Sequence, residues 1–384
     1  MQWNDDFDPC LLGPFGMVSS GRRECDERDS RVPLRRKAGR EEEHLKAVAL
    51  KAIGDIDNVS VMDLPDPEPG PGEVVVRMRA AALNHLDLWT IGGIAGDLHL
   101  PHILGADGAG EIHSVGDGVP LRSGSRVLVN PAISCRACEL CRSGEQSLCP
   151  SFRMMGEHVD GTFAELVRVP APNVYPFPEH LSFSEAAALG VTFITAYRML
   201  FTRGRLRPGE WVLITGIGGG LALSLFQLAR PVAGRIYVTS SSPEKLDRAA
   251  QMGADGGFNY KDEDPGSAIR RVTSKRGVDL VVDSAGGAAL DSSMRALRKG
   301  GRLVIAGGTA GRTADMNVAR LFWNQLEVIG STMGSDADVT DMLRAVGGME
   351  LRPVVDRTFP IDDAAEALRH LEGGSQFGKV VLEI

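Results

Sequence analysis

Trp211-Val-Leu-Ile-Thr-Gly216-Ile-Gly-Gly-Gly-Leu-Ala222, continued by Leu223–Ala229, decides the fold. An apolar β-favouring run, then glycines, then an uncharged helical run reads as strand, tight turn and helix. In that context glycines let the backbone turn sharply and approach a pyrophosphate, whose charge rests on the helix N-terminus. Gly216, Gly218, Gly219 and Gly220 would supply the turn. Ala222 takes the third, helix-packing position, where Gly or Ala is allowed. Trp211–Ala229 is also the longest uncharged run, but its glycines divide it, so it does not read as a membrane span.

Outward from this turn, strands are expected at Trp211–Thr215, Arg235–Thr239, Leu280–Asp283, Arg302–Ala306 and Leu326–Gly330. Helical segments such as Glu244–Gly253 and Ala288–Leu297 lie between them. Such alternation means an α/β fold, a doubly wound parallel sheet with helices on both faces. The preceding section is mostly β, with runs such as Ala47–Leu50, Glu73–Met78 and Gly110–Val115 among Gly/Pro loops. A helix (Asp362–Leu371) and a closing strand (Lys379–Glu383) end the chain. Residues 1–44 carry ten acidic and eight basic residues without apolar patterning. They are expected to be disordered, either as a tail or as the product of an upstream start.

The strand after the turn should end in the residue that reads the adenosine ribose. An NAD site usually places a carboxylate there. Here Thr239 leads into Ser240-Ser-Ser-Pro-Glu-Lys245, with no acid at the tip and an ammonium within one turn. Hydroxyls and an ammonium suit a 2′-phosphate, so NADPH is expected over NADH, with Ser240 and Lys245 as its ligands. Ser242 and Pro243 also form an ordinary helix start.

Cys135-x2-Cys138-x2-Cys141-x7-Cys149 is the sharpest signal. Four soft ligands at this spacing fit one tetrahedral Zn²⁺, closed to water and hence structural. An iron–sulfur ferredoxin run shares the first spacings but has three residues before its last cysteine. The chain's other two cysteines, Cys10 and Cys25, lie in the tail. Six cysteines in 384 residues exclude a disulfide scaffold, and the net charge of −8 argues against a nucleic-acid partner. With no signal-peptide pattern, no membrane association and a cytoplasmic location are expected.

Together, Gly105-Ala-Asp-Gly-Ala-Gly-Glu111, the cysteine lobe, Asp160-Gly-Thr-Phe-Ala-Glu165 and the glycine turn resemble the medium-chain dehydrogenase/reductase superfamily. The superfamily includes zinc alcohol dehydrogenases and NADPH quinone reductases. The resemblance covers residues 45–384. It implies a GroES-like catalytic domain with the zinc lobe at 45–180, a Rossmann domain at 181–331 and a catalytic return segment at 332–384. It also places Thr195 near the nicotinamide and Tyr260 near the adenosine. Asn84, His85 and Asp107 would line the substrate side, with His85 the expected proton donor.

The family's zinc alcohol dehydrogenases bind a catalytic zinc through three ligands. At the matching positions this chain has Asn84, Ala106 and Val191, and Leu86 replaces the hydroxyl that relays the alcohol proton. Alkoxide formation is hard without a Lewis acid, whereas a quinone or enone is already electron-poor. Asn84 also resembles the quinone-reductase pattern Asn-Pro-x-Asp, with His85 at the proline. The expected function is therefore hydride transfer from NADPH to a quinone or α,β-unsaturated carbonyl, with a structural zinc. Two alternatives stand beside it. One is a zinc alcohol dehydrogenase with an atypical metal site built from His85, Asp107 and His158; the other is a non-catalytic nucleotide-binding sensor or scaffold. A small-molecule substrate and a homodimer or homotetramer, paired near Leu326–Gly330, complete the expectations.

Overall fold

The computed structural model describes residues 44–96 and 98–384. The expected disordered tail lies outside the described residues except for His44, which opens the strand His44–Leu50.

The alternating section forms six parallel strands: Trp211–Ile214, Arg235–Ser240, Gly256–Asn259, Val278–Asp283, Leu297–Ile305 and Glu327–Gly330. Numbered in chain order, they lie side by side as 3-2-1-4-5-6. This is the Rossmann order, which opens a crevice where strands one and four part. Side chains alternate between two cores. Val212, Ile214, Val238 and Val282 enter one cluster, while Leu213, Tyr237, Val281 and Leu303 enter another. A sheet buried on both faces needs such continuous apolar strands.

Two elements depart from expectation. Gly256-Gly-Phe-Asn259 has no apolar alternation, yet it pairs along Arg235–Ser240 as an edge strand. Leu297 opens a long strand rather than closing a helix, with a register shift between its pairings at Val278 and Leu280.

The earlier section builds a seven-stranded sheet. Its path runs Val174–Tyr175, Arg126–Val129, Asp107–Val115, Glu73–Ala82, Lys379–Glu383 and Val355–Pro360, with Leu166–Pro170 also on Glu73–Ala82. The closing strand therefore lies beside one that begins some three hundred residues earlier, with Val381 opposite Ala82. Phe183–Ala187 packs on Glu73–Ala82 and Asp107–Val115, so this helix sits with the mixed sheet although it follows residue 181. Asp336–Gly348 packs against the helix Gly190–Tyr197. Among the described residues no helix is long and apolar enough to cross a membrane.

Candidate active site and metal centre

The glycine turn closes as its residue types require. Gly216 and Gly218 have φ of +71° and +110°, a region that disfavours side chains. The Gly216 and Ile217 amides donate to Thr239 Oγ1 (3.2 Å) and the Thr239 carbonyl (2.7 Å). The helix Gly220–Ala229 starts at the crevice, with Ala222 buried in its first turn. Amides in a first helical turn have no intrahelical acceptor and favour an anion.

A cleft of about 1220 Å³ runs from this turn to the strand ends of the mixed sheet. Asn84, His85, Thr195, Gly216, Gly219 and Gly220 line it, as do Ala222 and Tyr260. A nicotinamide dinucleotide fits this surface, and when bound it would exchange a hydride with substrate. Gly218, Ser240, Lys245 and Asp107 are not in the lining. Gly218 instead accepts from the Gly378 amide at 3.0 Å. The Ser240 hydroxyl is buried and accepts from the Ser242 amide at 3.2 Å. Lys245 passes over Gly218, where a Cβ would come within 2.6 Å of it, and its Nζ donates to the Gly374 carbonyl at 2.7 Å. Both side chains are engaged within the chain, so a 2′-phosphate would reach them only by exchanging these bonds.

At the other end of the cleft lies a charged network that sequence reading missed in part. Lys379 Nζ donates to the Leu83 carbonyl (2.7 Å), Asn84 Oδ1 (2.7 Å) and Asp107 Oδ2 (3.0 Å). An ammonium has three hydrogens, and all three are used. Asn84 Nδ2 donates to Asp107 Oδ2 at 2.9 Å, and the Val191 amide to Asp107 Oδ1 at 2.6 Å. That last contact needs Gly190: a Cβ there would stand 2.1 Å from Asp107 Oδ1. Asp107 is wholly buried, so its expected place on the substrate side is corrected. It holds Lys379 and Asn84 instead.

Asn84, Ala106 and Val191 do not fit a catalytic metal. One offers an amide already bonded to an ammonium, the others no ligand atom, and Lys379 would stand as a positive charge against the ion. Nor do His85, Asp107 and His158 gather. Among the described residues the four cysteines are the set of metal-ligating side chains that converges. His85 lies on the cleft wall, its ring 6.5 Å from that of Trp89. Desolvation, and secondarily Lys379, lower its pKa and favour the neutral ring. His113 is exposed, with Nδ1 3.3 Å from the Arg77 guanidinium.

The cysteine sulfurs all lie within 4.8 Å of one another, with Cys135–Cys141 at 3.9 Å and Cys138–Cys149 at 4.0 Å. Tetrahedral zinc with sulfur at about 2.3 Å sets sulfur pairs about 3.8 Å apart, so the donor set fits. Backbone amides of Ala137 and Cys138 hold the Cys135 thiol down at about 6, while burial pushes the Cys141 thiol up to about 11. The lobe grips the rest of the chain through charges. Arg136 pairs with Asp336 at 2.6 Å, and Glu145 with the buried Arg198 at 2.5 Å. Arg198 also pairs with Asp338 at 2.7 Å. Asp336 and Asp338 open the helix that follows Met333 of the cleft wall.

Comparison with known proteins identifies the family. Residues 70–179 match the alcohol dehydrogenase GroES-like domain model, and residues 220–347 the zinc-binding dehydrogenase model. An NAD-dependent alcohol dehydrogenase of Sulfurisphaera tokodaii is 32% identical over 88% of this chain and 99% of its own. The chain belongs to the medium-chain dehydrogenase/reductase superfamily. The acryloyl-coenzyme A reductase of Metallosphaera sedula is 29% identical over 88% of this chain and 99% of its own. A crystal structure of an NAD-dependent alcohol dehydrogenase superposes with a TM-score of 0.83 at 43% identity, covering 88% of this chain and 99% of that one. As a member of this superfamily the protein is an oxidoreductase.

Two outcomes follow from the site. Stripping metal with a strong chelator, or Cys138→Ser, should lower Tm by at least about 5 °C, because the lobe anchors Arg136 and Glu145. An unchanged Tm in a differential scanning measurement would remove the structural role of the lobe. The second concerns Asp87, which is buried, accepts from the Asn84 amide at 2.7 Å and has Oδ1 unpartnered. Burial pushes its pKa up to about 7. The folded chain then holds a proton that the unfolded chain releases near pH 4, so stability falls as pH rises from about 4 to about 7. Asp87→Asn should flatten the decline in Tm over that window; an identical slope in both proteins would contradict the assignment.

Proposed function

We infer that the protein is an NADPH-dependent reductase of quinones or α,β-unsaturated carbonyl compounds, with zinc confined to the cysteine lobe. The observation that carries this reading is Lys379, whose ammonium is bonded to Asn84, the residue standing at the first catalytic-ligand position by resemblance. Without a Lewis acid, forming an alkoxide has no support. A conjugated acceptor needs mainly orientation beside the hydride donor and a hydrogen-bond donor for its oxygen. The relative that reduces acryloyl-coenzyme A adds conjugated acyl thioesters to the acceptors consistent with this chemistry.

The preference for NADPH rests on the strand tip. Arg235–Ser240 ends without a carboxylate, and Lys245 needs only to exchange one carbonyl for a phosphate oxygen. The neighbouring Glu244 accepts from Ser242 Oγ at 2.6 Å, and Glu263 pairs with Arg271 at 2.8 Å. Both carboxylates therefore have partners. Tyr260 and Thr195 would stand at the adenosine and nicotinamide ends.

A homodimer is the assembly favoured here. Glu327–Gly330 is an edge strand, paired on one side by Leu297–Ile305. Beside it in sequence the helix Val318–Trp323 exposes Phe322 and Trp323, at 63% and 74%. An open edge flanked by aromatics suits a second copy joined edge to edge.

NADPH oxidation by the zinc-loaded protein is expected with menadione or cyclohexenone, with a lower KM than for NADH and one zinc per chain by elemental analysis. Two zinc per chain, or turnover confined to alcohols, would defeat the reading. Lys245→Ala should raise the KM for NADPH about tenfold and leave that for NADH unchanged. An unchanged NADPH preference would overturn the cofactor assignment. Trp323→Asp should halve the mass seen by light scattering, and a variant that stays dimeric would place the interface elsewhere.

A further inference from the structure

The network around Lys379 leaves no donor for a substrate oxygen. The three ammonium hydrogens are taken, one Asn84 amide hydrogen goes to Asp107, and Nδ2 also lies 3.4 Å from the Ala82 carbonyl. Reduction of a conjugated carbonyl places negative charge on that oxygen, and in an apolar cleft this charge needs a fixed donor.

His158 is built as one. It stands in a tight turn in which its amide donates to the Met154 carbonyl at 2.9 Å, and the Gly156 amide to the Val159 carbonyl at 2.8 Å. The Met154 amide in turn donates to His158 Nδ1 at 3.1 Å. A ring nitrogen that accepts carries no hydrogen, so in the neutral imidazole the hydrogen sits on Nε2. The backbone thereby sets the tautomer. Both His158 and Asn84 line the cleft, with Phe152 and Met154 as apolar neighbours. The turn is pressed onto the bend that carries Asp107: a Cβ at Gly156, whose φ is +75°, would stand 2.4 Å from the Gly105 carbonyl oxygen. Glu157 also borders the cleft, with Oε2 3.6 Å from His158 Nδ1.

We propose that His158, through Nε2–H, is a catalytic residue that receives the developing oxyanion of a conjugated carbonyl substrate. This rests on the reductase reading above and names the group that reading lacks. The new C–H bond at the β-carbon would form with a hydride released from the nicotinamide C4–H bond of NADPH, which would leave as NADP⁺. The alkene pair shifts toward the carbonyl carbon, and the carbonyl π pair moves onto oxygen, where the Nε2–H bond shortens. A proton from water then completes the α-carbon, so His158 ends as it began and the carbonyl returns.

The test uses the zinc-loaded full chain with NADPH and cyclohexenone. His158→Leu should lower kcat about 100-fold with KM changed less than about threefold, the cost of losing one oxyanion donor. His158→Gln, which keeps an N–H donor, should recover to within about tenfold of the parent kcat. Near-ultraviolet circular dichroism and NADPH affinity by fluorescence report that the variants are folded. A folded His158→Leu protein with kcat within about threefold of the parent overturns the assignment, as does a 100-fold loss in His85→Leu instead. A parent protein that binds NADPH but reduces neither cyclohexenone nor menadione overturns the reductase reading, and this proposal with it.

Discussion

A buried ammonium with three acceptors is the constraint on which the cleft depends. Lys379 can be charged there only because Asp107 compensates it and the Leu83 carbonyl and Asn84 complete its coordination. Asp107 in turn is held by the first turn of the helix Gly190–Tyr197, at the Val191 amide. Removing Lys379 or Asp107 alone would leave the other as an unmatched buried charge, which costs far more than the pair contributes. The closing strand, the strand Asp107–Val115 and the helix at Gly190 are thereby tied at one point. The dinucleotide turn joins the same point, since Gly378 donates to Gly218 and Lys379 passes beside Gly220.

The metal lobe acts at a different level. Its sulfurs organise a loop too short in apolar residues to hold itself, and its charged side chains reach into the core edge. Arg198, nearly wholly buried, joins Glu145 of the lobe to Asp338 at the start of the last long helix. The lobe is therefore linked to the helix that follows Met333 of the cleft wall through ion pairs. The superfamily's two metal roles, structural and catalytic, separate here along physical lines: four converging thiols on one side, an ammonium and no ligand set on the other.

Much of the fold was legible locally. Gly216, Gly218 and Ala222 marked the turn because a strand ran into them and a helix out. The cysteines marked the lobe because metal ligands close in sequence leave few alternatives. The alternation of strands and helices implied a doubly wound sheet, apart from Gly256–Asn259, whose edge position asks little of its side chains. The candidate site was legible only in part. Asn84, His85 and Asp107 were found through resemblance, but whether each faced the cleft or the core was not encoded nearby. Lys379 gave one weak signal, a lone cation opening the apolar run Val380-Val381-Leu382. His158 was named only as a ligand of an atypical metal site, whose members do not converge among the described residues.

By itself the sequence determined the Rossmann turn, the four-thiol centre and the missing catalytic-metal ligands, because each is a matter of residue type at short spacing. Tertiary structure alone decided that an ammonium stands beside Asn84 and Asp107. Lys379 and Asp107 are 272 residues apart and meet only when the closing strand pairs with Glu73–Ala82. It likewise decided that Lys245 and Ser240 are engaged within the chain, and that a backbone amide sets the tautomer of His158. Such facts depend on which groups share a hydrogen bond, and for residues far apart in sequence the bonding is set by packing.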